Sequence, residues 1–95
     1  MWNETGSDLE CQVLAAHWYT LPGLSLPPGG AGRLGLFAAD GVLQDGKGLA
    51  IERVFCGHAG NAWLTRSEID VSALTAGREG RVTCRAVGEG VVCGE

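Results

Sequence analysis

Cys56-Gly57-His58 is the shortest run of this chain with residue types that do chemistry. Residues two apart on an extended strand share one face, so a thiolate and an imidazole here could form a nucleophilic pair. With His17 or Cys93 they could instead ligate zinc or copper. The chain has neither the paired C-x2–4-C nor the H-x3–5-H units of structural zinc sites. A half-cystine beside a turn histidine is therefore expected, with no metal and no cofactor. Gly30-Ala31-Gly32-Arg33-Leu34-Gly35 spells the G-x-G-x-x-G of dinucleotide turns. That turn needs a strand before it and a helix after it. Pro27-Pro28 precede it and no helical pattern follows, so it reads as a chance match in a glycine-rich chain. Asp40, Asp45, Glu52, Glu68 and Asp70 fall at turns or on wet faces, without the cleft that paired catalytic acids require. No serine lies in a nucleophile elbow. The expectation is a protein without catalysis.

Binding residues stand out more clearly. Trp18 and Tyr19 precede a long apolar segment, Leu21 to Leu36, that contains Leu24 and Leu26 and is broken by prolines. Aromatic side chains anchor protein interfaces, and long ordered loops often carry function. Trp18, Tyr19, Leu24 and Leu26 are thus candidate partner contacts. Leu24 and Leu26 are also able to form a short edge strand. Arg81 and Arg85 are expected on the outer face of one strand, near Arg78, as a cationic patch for a partner's carboxylates. Asn3-Glu4-Thr5 is a glycosylation sequon, which makes Asn3 a candidate acceptor in a eukaryotic secretory protein. His17 is expected to be partly buried with a backbone partner.

A length of 95 residues gives one domain with one modest core. Seven basic against eleven acidic residues leave a net charge of −4, which repels phosphate backbones and excludes a general nucleic-acid binder. No apolar run approaches the roughly 18 residues of a membrane span. Met1 to Glu4 show no cationic start or apolar core of a signal peptide, so the chain reads as a mature or excised domain with an added initiator Met. Four cysteines, an even number in a small chain, point to two disulfides and an oxidising compartment. The expected location is secreted or extracellular, or periplasmic if the source is bacterial.

The elements that must hold these residues follow from periodicity and turns. Residues 1–8 read as a flexible N-terminal segment and 9–95 as the domain. Apolar residues alternate from Leu9 to Tyr19, a strand pattern. Further strands are expected at 34–39, 49–56, 63–73, 81–87 and 91–93, separated by glycine turns. Within 49–56 the apolar face changes near Arg53, which calls for a bulge. Two cysteine pairings remain open. One joins Cys11 to Cys84 and Cys56 to Cys93. The other joins Cys84 to Cys93 across a four-residue hairpin loop and Cys11 to Cys56. The series of short strands predicts an all-β fold, a small antiparallel sandwich with two disulfides.

Val82-Thr83-Cys84-Arg85-Ala86-Val87, with Ser67 to Val71 before it, resembles strands F and E of an immunoglobulin constant-type domain. Leu9-Glu10-Cys11-Gln12-Val13 looks like strand B of that family, and Phe37 with Asp40-Gly41 like strand C. The resemblance implies a two-sheet sandwich in which Cys11 and Cys84 form the inter-sheet bridge. The sequence departs from the family at Val82, where the tyrosine of the family's corner motif would stand. The functional expectation is an extracellular, non-catalytic protein-interaction module of immunoglobulin-like type, with a protein partner. Two alternatives accompany it: a small secreted inhibitor or toxin-like scaffold using residues 21–36, and a periplasmic accessory domain handling metal through Cys56 and His58.

Overall fold

The computed structural model describes residues 1–95. It consists mostly of strands: β1 (Trp2–Glu4), β2 (Leu9–Ala15), β3 (Thr20–Leu26), β4 (Phe37–Ala39), β5 (Val42–Gln44), β6 (Ile51–His58), β7 (Ser67–Ile69), β8 (Thr83–Val87) and β9 (Gly90–Gly94). Two short helices, α1 (Ala62–Thr65) and α2 (Val71–Thr75), interrupt them. The strands form three sheets, ordered β3-β2-β6-β7, β1-β8-β9 and β4-β5. All pairs are antiparallel except β1 with β8. No helix is long and apolar enough to cross a membrane.

One core joins the sheets. Leu9, Cys11, Val13 and Ala15 of β2 alternate inward, as their period of two dictates. They meet Val54, Cys56 and Ile69 of the same sheet, Cys84 and Val91 of the second, Leu43 of β5 and Leu74 of α2. β6 keeps its apolar face through the expected irregularity. Leu14 pairs with Arg53 but Ala15 with Ile51, so Glu52 is the extra residue of a bulge. The bulge returns Ile51 and Val54 to the core side. Phe55 points the other way and is buried under α1, edge-on to Trp63.

The cysteine pairing is Cys11–Cys56 and Cys84–Cys93. Each bridge spans two directly paired residues of neighbouring antiparallel strands, with Cα atoms 4.0 Å apart. The β8–β9 ladder runs on to Val87 opposite Gly90, so the loop is the two residues Gly88-Glu89 and not the four expected, but the register is the same and puts Cys84 opposite Cys93. Both bridges lie within a sheet. The Cys11–Cys84 bridge implied by the immunoglobulin resemblance is not formed, because Cys11 already faces Cys56 across the β2–β6 ladder.

Other expectations are corrected. Residues 1–8 are not a free tail: β1 lies parallel to β8, and Met1 and Asn3 are buried. The expected strand over 63–73 is split into α1, β7 and α2. Asp70 accepts a hydrogen bond from the Ser72 backbone N–H and caps α2. Gly57 allows α1 to lie directly on β6, since a Cβ there would stand 2.3 Å from the Ala62 carbonyl oxygen.

Candidate functional site: the Trp18 hairpin

β2 and β3 form a hairpin through Ala16–Trp18. Ala15 N–H donates to the Tyr19 carbonyl at 2.8 Å and closes the turn. His17 (φ 63°, ψ 29°) and Trp18 (φ 67°) are both left-handed. Type I′ hairpin turns need this at both central positions and normally recruit Asn and Gly to supply it. For L-residues with a Cβ the conformation costs about 1–2 kcal/mol each. The ladders on either side, β2 with β3 and β2 with β6, enforce it. His17 is thereby exposed in the turn and not partly buried.

Trp18 is 99% exposed and Tyr19 57%. No hydrogen bond holds the Trp18 indole. Leu21 and Leu24 follow on β3 and line a groove of about 360 Å³ with Glu10, Gln12, Thr20 and Ser25. The groove opens at an irregularity in the ladder, where the β2–β3 register shifts between Cys11 and Val13. Gly23 belongs to that step, since a Cβ there would stand 2.0 Å from the Cys11 carbonyl oxygen. Trp18 and Tyr19 therefore stand exposed on this hairpin at the edge of the four-stranded sheet, whereas Leu21 and Leu24, opposite Val13 and Cys11, are partly buried and pack against the core, which corrects the expectation of Leu24 as a free partner contact.

Leu26 does not join them. It is buried in the core opposite Leu9, because its side chain lies on the inner face of β3. Residues 21–36 are not a projecting loop either. The first part is strand, and Leu34 and Leu36 fold back against the core. The loop that remains, residues 27–36, is anchored to the core at Leu34 and Leu36.

Arg81 and Arg85 do not share a strand face. Arg81 ends a 3-10 turn and β8 begins only at Thr83. Arg85 is paired in register with Glu4, and Arg78 bonds Glu95 at 2.6 Å. Acids thus stand beside two of the three arginines. Arg85 lies on β8 of the three-stranded sheet and Arg81 in the turn that leads into it, whereas Trp18 lies at a hairpin of the four-stranded sheet.

Asn3 is 1% exposed. Its Nδ2 donates to the carbonyls of Ser7, Leu26 and Pro27, and Thr5 N–H and Oγ1–H both donate to its Oδ1. The sequon reading is overturned here: the nitrogen that would carry a glycan is the one that ties β1 to the end of β3.

The Cys56-Gly57-His58 reading also dissolves. Cys56 is bridged to Cys11. His58 Nδ1 meets Ser7 Oγ at 2.9 Å, and no carboxylate bonds its ring. His17 lies at the other end of β2 from the Leu9–His58 pair. Gly30 to Gly35 form part of a loop that leads to β4, with no helix after it.

A second aromatic cluster escaped the sequence reading. Arg66 stacks 3.8 Å over the Trp63 ring, and Arg53 lies 5.6 Å from it. Arg53 is also ion-paired to Glu68. Leu64 beside them is 80% exposed. The available signal was Asn61 before Ala62-Trp63-Leu64-Thr65, a helix start after a glycine turn. Trp63 has a packing role, since it covers Phe55. Trp18 has no such role.

Comparison of the chain with protein-family models, curated proteins and solved structures finds no match.

Proposed function

We propose that the chain is a non-catalytic, extracellular protein-interaction module that engages its partner through the β2–β3 hairpin. One observation carries the reading: Trp18 is fully exposed at a hairpin tip whose backbone is held in an unfavourable conformation. An indole in water gives the fold nothing, and a strained backbone at an exposed aromatic is a mark of a functional contact. Tyr19, 57% exposed, extends the aromatic surface beside Trp18. Two disulfides support an oxidising, extracellular or periplasmic setting. The immunoglobulin-like form of the proposal rests on the Val82–Val87 sequence and on two sheets sharing a core, without the inter-sheet bridge that the resemblance implies. The interaction role does not depend on it.

The test places a photo-crosslinking aromatic residue at position 18, and in a control at exposed Val92. Each is exposed to secreted and surface proteins of the source organism. A discrete adduct is expected from position 18 alone. Unlabelled wild type should compete it away and Trp18→Ala should not. Equal adducts at both positions, or full competition by Trp18→Ala, would sink the proposal.

A further inference from the structure

A cavity of about 250 Å³ lies apart from the hairpin. The loop leaving β3, strand β5, α2 and the 3-10 turn Glu79–Arg81 enclose it. None of its lining residues belongs to β2 or β3. Leu43 and Leu74 are buried and Leu36 packs against the same core, so these three make an apolar floor. Gly35, Gly77 and Gly80 are exposed at the rim. A Cβ at any of the three would meet nothing within 4 Å, so the mouth is open.

Arg33 and Glu79 complete the lining. They carry opposite charges but do not pair with each other. The ion pairs of the chain are Arg53–Glu68 and Arg78–Glu95. Arg33 is exposed and free to donate. Glu79 Oε2 accepts the Leu34 N–H at 3.1 Å. That bond fixes the half-buried carboxylate beside the cavity and leaves Oε1 without a donor. A guanidinium takes a carboxylate through two N–H groups, and a carboxylate oxygen takes an ammonium. A cation and an anion held apart over an apolar floor match a ligand with both charges and a hydrocarbon side chain.

Sites for drug-sized ligands run from about 300 to 1,000 Å³, so this cavity suits a smaller molecule. We propose that it binds a free α-amino acid with an apolar side chain. The ligand's carboxylate meets Arg33, its ammonium meets Glu79 Oε1, and its side chain lies on Leu36, Leu43 and Leu74. The end of a peptide offers only one of the two charges and leaves the other group unmatched. The site is separate from the hairpin, and neither proposal needs the other.

The test titrates L-leucine into isotopically labelled wild-type protein, bridges intact, and follows amide and methyl resonances. One leucine per chain is expected, with shifts concentrated at Gly35, Gly77, Gly80 and the Leu43 and Leu74 methyls. Leucinamide lacks the carboxylate, N-acetyl-leucine lacks the ammonium and glycine lacks the side chain. Each should bind at least about tenfold more weakly than leucine. Arg33→Gln and Glu79→Gln should weaken leucine by a similar factor while the remaining resonances stay those of the folded wild type. Glutamine at 79 still offers an acceptor to the Leu34 N–H. No shift at the solubility limit of leucine would overturn the proposal, and so would shifts centred elsewhere. Equal affinity for leucinamide, N-acetyl-leucine or glycine, or an unchanged affinity in Arg33→Gln, would overturn it too. If Glu79→Gln disturbs the fold, the ligand series on the wild type decides alone.

Discussion

Asn3 sends its side-chain N–H groups to Ser7, Leu26 and Pro27 and accepts both donors of Thr5. All of that amide's hydrogen-bonding capacity is used inside the fold. Asn3→Ala should lower unfolding stability by about 1–3 kcal/mol, because the buried Leu26 carbonyl and the part-buried Ser7 and Pro27 carbonyls lose their donor. Urea denaturation would measure it, and a loss under about 0.5 kcal/mol would mean that water replaces the amide. Trp18 is the opposite case, an apolar side chain with no internal partner. Trp18→Gly relieves a left-handed backbone and loses no packing. A net gain of about 0.5–1 kcal/mol is expected after the entropy of glycine is subtracted. The same variant should abolish the crosslinkable contact. A loss of stability would show that the indole packs in solution.

Strand pairs and short helices respond differently. The Cys11–Cys56 bridge closes a sequence separation of 45 and Cys84–Cys93 one of 9. Loop-closure entropy assigns about 4 kcal/mol to the first and about 3 kcal/mol to the second. Replacing Cys11 and Cys56 by Ala should therefore cost more than replacing Cys84 and Cys93. Paired urea curves would show the order, and a reversed order would point to residual structure in the unfolded chain. At α2, the Ser72 hydroxyl, then the Ser72 backbone N–H, hold the Asp70 carboxyl below its ordinary value of 3.8, with Arg78 adding to this. A depressed folded-state pKa contributes stability above the unfolded value, which is lost as pH falls through the folded one. Asp70→Ala should thus be less stable than wild type at neutral pH. The gap should close below about pH 3.8. Thermal melts across that range would decide, and a gap independent of pH would remove the carboxylate from the cap.

At the scale of the whole molecule, β1 is the seam. Its strand pairs with β8 on one side, and on the other it exchanges hydrogen bonds with Gly29, Gly30 and Gly32. The three-stranded sheet is so tied to the loop leaving the four-stranded one. Deleting residues 1–5 removes buried Met1 and Asn3 together and should cost at least about 3 kcal/mol. Hydrogen exchange should show lost protection in β8 and at the end of β3. Unchanged protection in β3 would show that the sheets hold together without the seam.

The parts legible in the sequence were those set by neighbours along the chain. Alternation in Leu9–Ala15 marked β2, the conflict at Arg53 marked a bulge, and the last hairpin offered Cys84 opposite Cys93 as one of two pairings left open. Even cysteine number and glycine turns marked a disulfide-bonded, strand-rich chain. Contacts between distant segments were invisible there. Asn3 looked like a surface sequon until the carbonyls of Leu26 and Pro27 closed over it. Leu26 looked like a partner contact until β3 turned it inward. Trp63 read as strand until the gap at Gly57 let α1 lie on β6. Periodicity reports which residues share a face, while only the packing of sheet on sheet decides what that face meets. For the same reason Trp18 was visible as a type and position, but its complete exposure and its left-handed backbone belong to the hairpin as folded.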